Sequence, residues 1–238
     1  MTLASKGADF VPNFGQPSTA LAGSVTVKEL ATHTAGFDKA GGFVPIKYKP
    51  GTAFAYSDGG ANWLADVLTS AYHQDMAALF RSRIGSKLGI SVGWRSNQYR
   101  PPTLNGVPRR EFGSGITAGV EAMGRVGVML QHGGSGIISS GCVRSLGRTA
   151  ARGLPVKTSF TPGASGHYGL LWWDNGDGAM SGVPRDAFWS WGLGDSFILV
   201  IPSKGLVVAR AGRSWQGGWK ADYRVLAPFF QAVSGAVR

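Results

Sequence analysis

Residues 186–202 read Asp186-Ala187-Phe188-Trp189-Ser190-Trp191-Gly192-Leu193-Gly194-Asp195-Ser196-Phe197-Ile198-Leu199-Val200-Ile201-Pro202. The run is aromatic and β-branched and is stopped by a proline, the composition of a buried strand. Similar material lies on either side, at His167 to Trp173 and Leu206 to Ala211, with turn residues between. Strands joined by short connections are usually antiparallel neighbours. The expected sheet is three-stranded, in the order 167–173, 187–201, 206–211. After it, Val225, Leu226, Phe229 and Phe230 recur at helical spacing, so Asp222 to Val233 should be a closing helix with one apolar face.

Towards the N-terminus the period becomes helical. Val120, Met123, Val126, Met129 and Leu130 form one apolar stripe, ended by Gly133-Gly134. Trp63, Leu64, Val67, Leu68 and Ala71 form another. Asp75 stands as N-cap before Met76, Leu79, Phe80 and Ile84. Thr26 and Glu29 have capping-box spacing at the head of a short helix through Ala31. Residues 91–118 carry Pro101-Pro102, Pro108 and Gly113-Ser114-Gly115 without periodicity and read as a long ordered loop. Residues 1–25, broken by Pro12, Gly15 and Pro17, read as an irregular lead-in. Helices first and an antiparallel meander afterwards make an α+β fold. The expected organisation is one domain over 1–238: a mainly helical and loop region at 26–165, then strands and the closing helix at 166–238.

Three segments carry chemistry. His33-Thr34-Ala35-Gly36 ends the first helix, Tyr56-Ser57-Asp58 opens the next after Pro50-Gly51-Thr52, and Ser190-Trp191-Gly192 enters the long strand. In this order and context, from about Val11 to Phe230, the chain resembles serine hydrolases of the β-lactamase and penicillin-binding-protein superfamily. That superfamily uses a Ser-x-x-Lys nucleophile, a Tyr-x-Asn or Ser-x-Asn group, and a strand motif Lys-Thr-Gly or His-x-Gly. The resemblance implies Tyr56 as the proton-transfer group, Asp58 at the Asn position, and Ser190, Trp191 and Gly192 at the strand motif. It also implies the N–H of Leu193 as oxyanion donor and a substrate that is an ester or amide: a lactam, a D-peptide or a carboxyl ester. The local residues alone also allow a packed aromatic at 56, a helix cap at 58 and a glycine-rich strand entry at 190–192.

Several departures stand out. An ionised Asp58 accepts hydrogen bonds but cannot donate them, and it opposes a neighbouring phenolate. The strand motif keeps its glycine and lacks its cation. No serine is followed three residues later by lysine. The resemblance therefore implies that the nucleophile helix and N-terminal strands lie outside this sequence. It also implies that the 206–211 strand is an open edge, prone to self-association. Two readings follow: a serine hydrolase whose nucleophile is not in this chain, or a non-catalytic binding or scaffold homologue that keeps the cleft.

Composition narrows the remaining classes. Cys142 is alone, which removes a disulfide framework or cysteine metal cluster. His33 reads as structural, and His73, His132 and His167 have no metal-ligand spacing. No cofactor is expected: there is no phosphate or dinucleotide glycine fingerprint, and Gly133-Gly134-Ser135-Gly136 is not a nucleophile elbow. The net charge of +11 is spread along the chain without a run or helix face, so nucleic acid is not an expected partner. No apolar run is long enough for a membrane span, and Met1 to Phe14 has no signal-type apolar segment.

Overall fold

The computed structural model describes residues 1–157, 167–215 and 222–237. The chain divides into two compact units, each built from separate stretches. The boundary expected at 165/166 falls outside the described residues.

The first unit comprises Met1–Ser86, Ser91–Thr117 and Gly153–Thr158. Its helices are α1 (Thr19–Ala22), α2 (Val27–Ala31), α3 (Asp58–Tyr72) and α4 (Met76–Phe80). Past α4 a π turn, Arg81–Gly85, leads into α5 (Ser86–Leu88). The cap of α2 is the expected box: the Thr26 hydroxyl accepts from Glu29 N–H and the Glu29 carboxylate accepts from Thr26 N–H. Asp75 caps α4 as expected, accepting from Ala77 N–H at 2.9 Å. Residues 1–25 form no strand but pack inward through Val11, Phe14 and Val25. The core is centred on Trp63 of α3, whose ring lies 5.0 Å from Phe14 and 5.3 Å from Phe43. Full burial of one such side chain stabilises by roughly 1.5–3 kcal/mol.

The segment expected as an unstructured loop holds two short antiparallel ladders. One pairs β1 (Gly93–Trp94) with β4 (Ile116–Thr117), the other β2 (Thr103–Leu104) with β3 (Val107–Pro108). A buried ionic group anchors them. Asp66 of α3 accepts from Arg100 Nη1 and Arg109 Nε, each at 2.9 Å, and all three side chains are buried. Arg100 Nη2 also donates to the carbonyls of Gly42 and Gly59, and Arg109 Nη1 to those of Pro101 and Thr103. A shared counter-ion and these carbonyl bonds let the charges stay buried, with Arg100 Nε left as a buried nitrogen without a hydrogen-bond partner among the described residues.

The second unit comprises Lys87–Ile90, Ala118–Arg152 and Ser159–Arg238. It contains α6 (Val120–Gln131), α7 (Ser140–Leu146) and one sheet. Among the described residues the sheet has four strands rather than the expected three: β5 (Trp173–Asp174), β6 (Phe188–Gly192), β7 (Ser196–Ile201) and β8 (Leu206–Arg210), all antiparallel in that order. The 187–201 run is thus a hairpin, not one strand. It folds back at Leu193–Asp195, where Gly194 at φ 70° and Asp195 at φ 51° supply left-handed backbone. Likewise the 167–173 strand is reduced to its end, with Tyr168 in an isolated bridge to Trp173.

Pleating splits the sheet into two buried faces. Trp189, Phe197 and Leu199 face α8 (Tyr223–Ala236), with Phe230 5.2 Å from both Trp189 and Phe197. Phe188, Ile198 and Val200 pack with Met129 and Leu130 of α6 and Val143 of α7. Helix α6 lies so close that a Cβ on Gly127 would stand 2.4 Å from Val207 Cγ1, so glycine is required there. Among the described residues, no helix is long and apolar enough to cross a membrane. Among the described residues, no cluster of three or more His, Cys, Asp or Glu side chains could hold a metal.

Candidate active site

In the first unit, residues 53–56 run extended into the N-terminus of α3. Phe54 N–H donates to Pro155 O, Lys157 N–H to Phe54 O, and Ala55 N–H to His33 O. Ser57 is the N-cap of α3, its hydroxyl oxygen accepting from Gly60 N–H at 2.9 Å while its O–H donates to Asp38 O. Asp58 is therefore the first helical residue rather than the cap, and its side chain is available for other work. A Cβ on Gly59 would meet Val44 Cγ2 at 2.4 Å and Ala40 O at 2.6 Å, so the absence of a side chain lets the 38–44 loop close over this helix end.

Tyr56 is half-buried at this corner. His33 lies against one side, ring centroids 4.3 Å apart, and its Nδ1 accepts from Ser57 N–H at 3.2 Å. The accepting Nδ1 leaves the proton of the neutral ring on Nε2. Burial, with the Lys39 charge second, pushes the His33 pKa down to about 3, so the ring is neutral and its hydrogen bond persists at ordinary pH. This matches its expected structural role. The phenol of Tyr56 is raised well above its usual range, first by desolvation and then by the Asp58 carboxylate.

Lys39 is the residue that local sequence reading missed. Its Nζ bonds Asp58 Oδ2 at 2.5 Å and lies 5.4 Å from the Tyr56 ring centroid. Asp58 N–H also donates to Lys39 O at 3.0 Å, so backbone and side chain both dock this loop on α3. Position 39 is nineteen residues from 58 with no motif around it. The sole sequence signal was an unneutralised acid beside a tyrosine. On the far side of Asp58, Gly113 packs against its Cβ, and Glu111 holds this turn by accepting from Gly113 N–H and Asn62 Nδ2.

In the second unit the other four expected site residues are consecutive at the end of β6 and its turn. Ser190 is half-buried opposite Ile198, whose N–H donates to Ser190 Oγ at 3.1 Å. Gly192 closes the ladder opposite Ser196, and Leu193, 63% exposed, begins the turn. Trp191 differs from what was expected of a substrate-contacting side chain. Its indole is buried on the α8 face beside Trp173 and Tyr223, and Nε1–H donates to Asp195 Oδ1 at 3.1 Å. The alternation of the strand dictates this: Trp189 and Trp191 share the α8 face, and Ser190 takes the opposite face with Phe188 and Ile198.

Asp195 holds the turn from beneath. Its second oxygen accepts from Trp215 N–H at 2.8 Å, while Arg210 Nη1 donates to the carbonyls of Gly194 and Asp195. The backbone at Leu193 is thereby set by side-chain bonds as well as by the ladder.

A family model described as Beta-lactamase matches residues 2–227. Among solved structures, a penicillin-binding protein homologue from Caulobacter crescentus is 16% identical with a TM-score of 0.73, covering 100% of this chain and 77% of that one. A beta-lactamase/D-alanine carboxypeptidase from Yersinia pestis is 20% identical with a TM-score of 0.69, again covering 100% and 77%. Simvastatin synthase from Aspergillus terreus is 14% identical with a TM-score of 0.72, covering 98% and 77%. At these identities the likeness is one of fold. A comparison with curated proteins gave no match.

Proposed function

Because this chain belongs to the β-lactamase family, we propose that it carries the acyl-handling groups of a serine hydrolase acting on an ester or amide through an acyl-enzyme. The observation that carries this reading is the setting of Tyr56: one ring against neutral His33, an ammonium beside it, at the entry to α3. A phenol raised by burial and by Asp58 is protonated at neutral pH, fit to donate a proton or a hydrogen bond. To accept a proton it needs more positive charge than Lys39 alone, because Lys39 is paired with Asp58. The lysine of a Ser-x-x-Lys pair is a cation of that kind.

In this proposal the N–H of Leu193 stabilises the oxyanion, and Asp58, Ser190 and Gly192 make polar contacts to substrate. Trp191 contributes through its backbone, its indole being committed to the core. The nucleophile is none of the serines in this sequence, since none has the lysine that activates it.

The second reading, a non-catalytic binder, is favoured by that same missing pair. Sequencing the coding region immediately 5′ of the Met1 codon and assaying the extended chain separates the two. The hydrolase reading expects an in-frame Ser-x-x-Lys, and ester or lactam turnover at least a thousandfold above its own Tyr56→Phe variant. An extended chain without the motif, or one indifferent to Tyr56→Phe, would leave the binding reading in its place.

A further inference from the structure

We propose that Asn62 is a positioning residue of the candidate site: its buried amide ties together two loops that both meet Asp58, and so holds the Lys39 ammonium beside Tyr56. The inference rests on the acyl-handling reading only for why Tyr56 matters. Every contact in it lies within the first unit.

Asn62 stands one turn beyond Asp58 on α3 and is fully enclosed. Asparagine is a poor helix former, and a buried amide has to be hydrogen-bonded. Here all of it is used. Nδ2 donates to Gly41 O at 2.9 Å and to both Glu111 carboxylate oxygens at 3.2 Å, while Oδ1 accepts from Phe112 N–H at 2.9 Å. Both amide hydrogens are thus engaged, and with no exposed surface Asn62 does not touch a substrate. It acts through the two loops it holds.

The first loop carries Lys39. Lys39 O accepts from Asp58 N–H at 3.0 Å, and its Nζ bonds Asp58 Oδ2. Two residues on, Gly41 is the point at which Asn62 grips the chain. Tyr99 packs there so closely that a Cβ on Gly41 would stand 2.7 Å from its Cδ2. The second loop carries Glu111, itself buried, whose Oε1 accepts from Gly113 N–H at 2.8 Å. A Cβ on Gly113 would lie 2.9 Å from Asp58 Cβ, so this turn rests directly on the acid. Arg100 also braces the first loop, through Gly42 O at 3.0 Å, but its other bonds go to Asp66 and Gly59. Asn62 reaches both loops. Without it, Gly41 O and Glu111 each lose a buried hydrogen bond, and the two loops must shift to recover one.

The rate at which acetic anhydride labels Lys39, read by peptide mass spectrometry relative to exposed Lys28, reports on the ammonium. In Asn62→Ala this ratio should rise about threefold, the scale set by a partly exposed ion pair. Hydrogen exchange should quicken at 40–43 and 111–113 together. A paired substitution separates the two ties. Asn62→Asp with Glu111→Gln reverses donor and acceptor between these positions but leaves Gly41 O without its donor. Exchange at 111–113 should then return to the parental rate, while Lys39 labelling stays elevated. A merely structural Asn62 would restore or lose both readings together.

Parental Lys39 labelling in the paired form overturns the proposal, as does unchanged labelling in a folded Asn62→Ala. If Asn62→Ala does not fold, the paired form alone decides, and equal acceleration of all its lysines counts as refutation. None of these readings uses turnover. Failure here therefore leaves the role of Tyr56 standing, and failure of the acyl-handling reading leaves the Lys39 rates as they are.

Discussion

Lys39 Nζ bonds Asp58 Oδ2 at 2.5 Å and stands 5.4 Å from the centre of the Tyr56 ring. One ammonium thus serves two partners. It neutralises the Asp58 carboxylate, and it supplies positive charge beside a tyrosine whose phenolate that carboxylate disfavours. Both ends of the pair are roughly a quarter to a third exposed, so solvent screens it and its direct worth to folding is small. Lys39→Met should cost no more than about 1 kcal/mol in urea unfolding. A loss of several kcal/mol would make the lysine a structural keystone rather than an electrostatic partner of the site.

Asp58→Asn bears on Tyr56. Desolvation is the larger cause of the raised phenol and the Asp58 charge the smaller. Removing the charge should lower the Tyr56 titration midpoint while leaving it above the ordinary value of about 10. Ultraviolet difference titration against Tyr56→Phe reads this directly. An unchanged or raised midpoint would show that Asp58 exerts no net field on the phenol.

His33 predicts an acid-side loss of stability. Its folded pKa is about 3, below the unfolded value of about 6.5, so the unfolded chain binds the extra proton. The contribution is complete above pH about 6.5 and declines as pH falls towards about 3, by up to about 1.4 kcal/mol per pH unit. His33→Gln retains an acceptor for Ser57 N–H but does not titrate. Its stability should be flatter than that of the parent across that window in urea melts, and parallel curves would contradict the assignment.

The Asp66 group predicts a different kind of failure. Asp66→Ala leaves Arg100 and Arg109 buried without their shared counter-ion. Breaking such a group costs about 3–5 kcal/mol. The 93–117 ladders should lose hydrogen-exchange protection before α3 does, because their anchor runs through those arginines. Uniform loss across the first unit would mean that the ladders are held by something else.

Legibility of the fold followed the range of the forces involved. The Thr26–Glu29 box, the Asp75 cap, the stripes of α3, α6 and α8, and the β8 strand are set by neighbours a few residues apart, and sequence alone places them. The hairpin at 193–195 was missed because its turn is fixed by Asp195 reaching Trp215 and by Arg210 reaching back, contacts that local composition does not encode. Helix α7 was missed because only Val143 is buried in it, which gives no period to read. The 91–118 ladders are two residues per strand and depend on Asp66, far off in sequence. At the proposed site, motif context is what proposes Tyr56, whereas no local signal points to Lys39. The core placement of Trp191 follows from strand alternation, once β6 is known to end at Gly192.

The most direct measurement is a titration of the ¹³C,¹⁵N-labelled chain with a carboxyl ester or lactam, following the Leu193 amide by ¹⁵N and the Tyr56 ring by ¹³C together. If both belong to one acyl-handling site, their resonances should shift along a single saturable isotherm, and Tyr56→Phe should weaken the isotherm read at Leu193. Shifts at neither position, or at one with the other unmoved at saturation, would contradict that assignment.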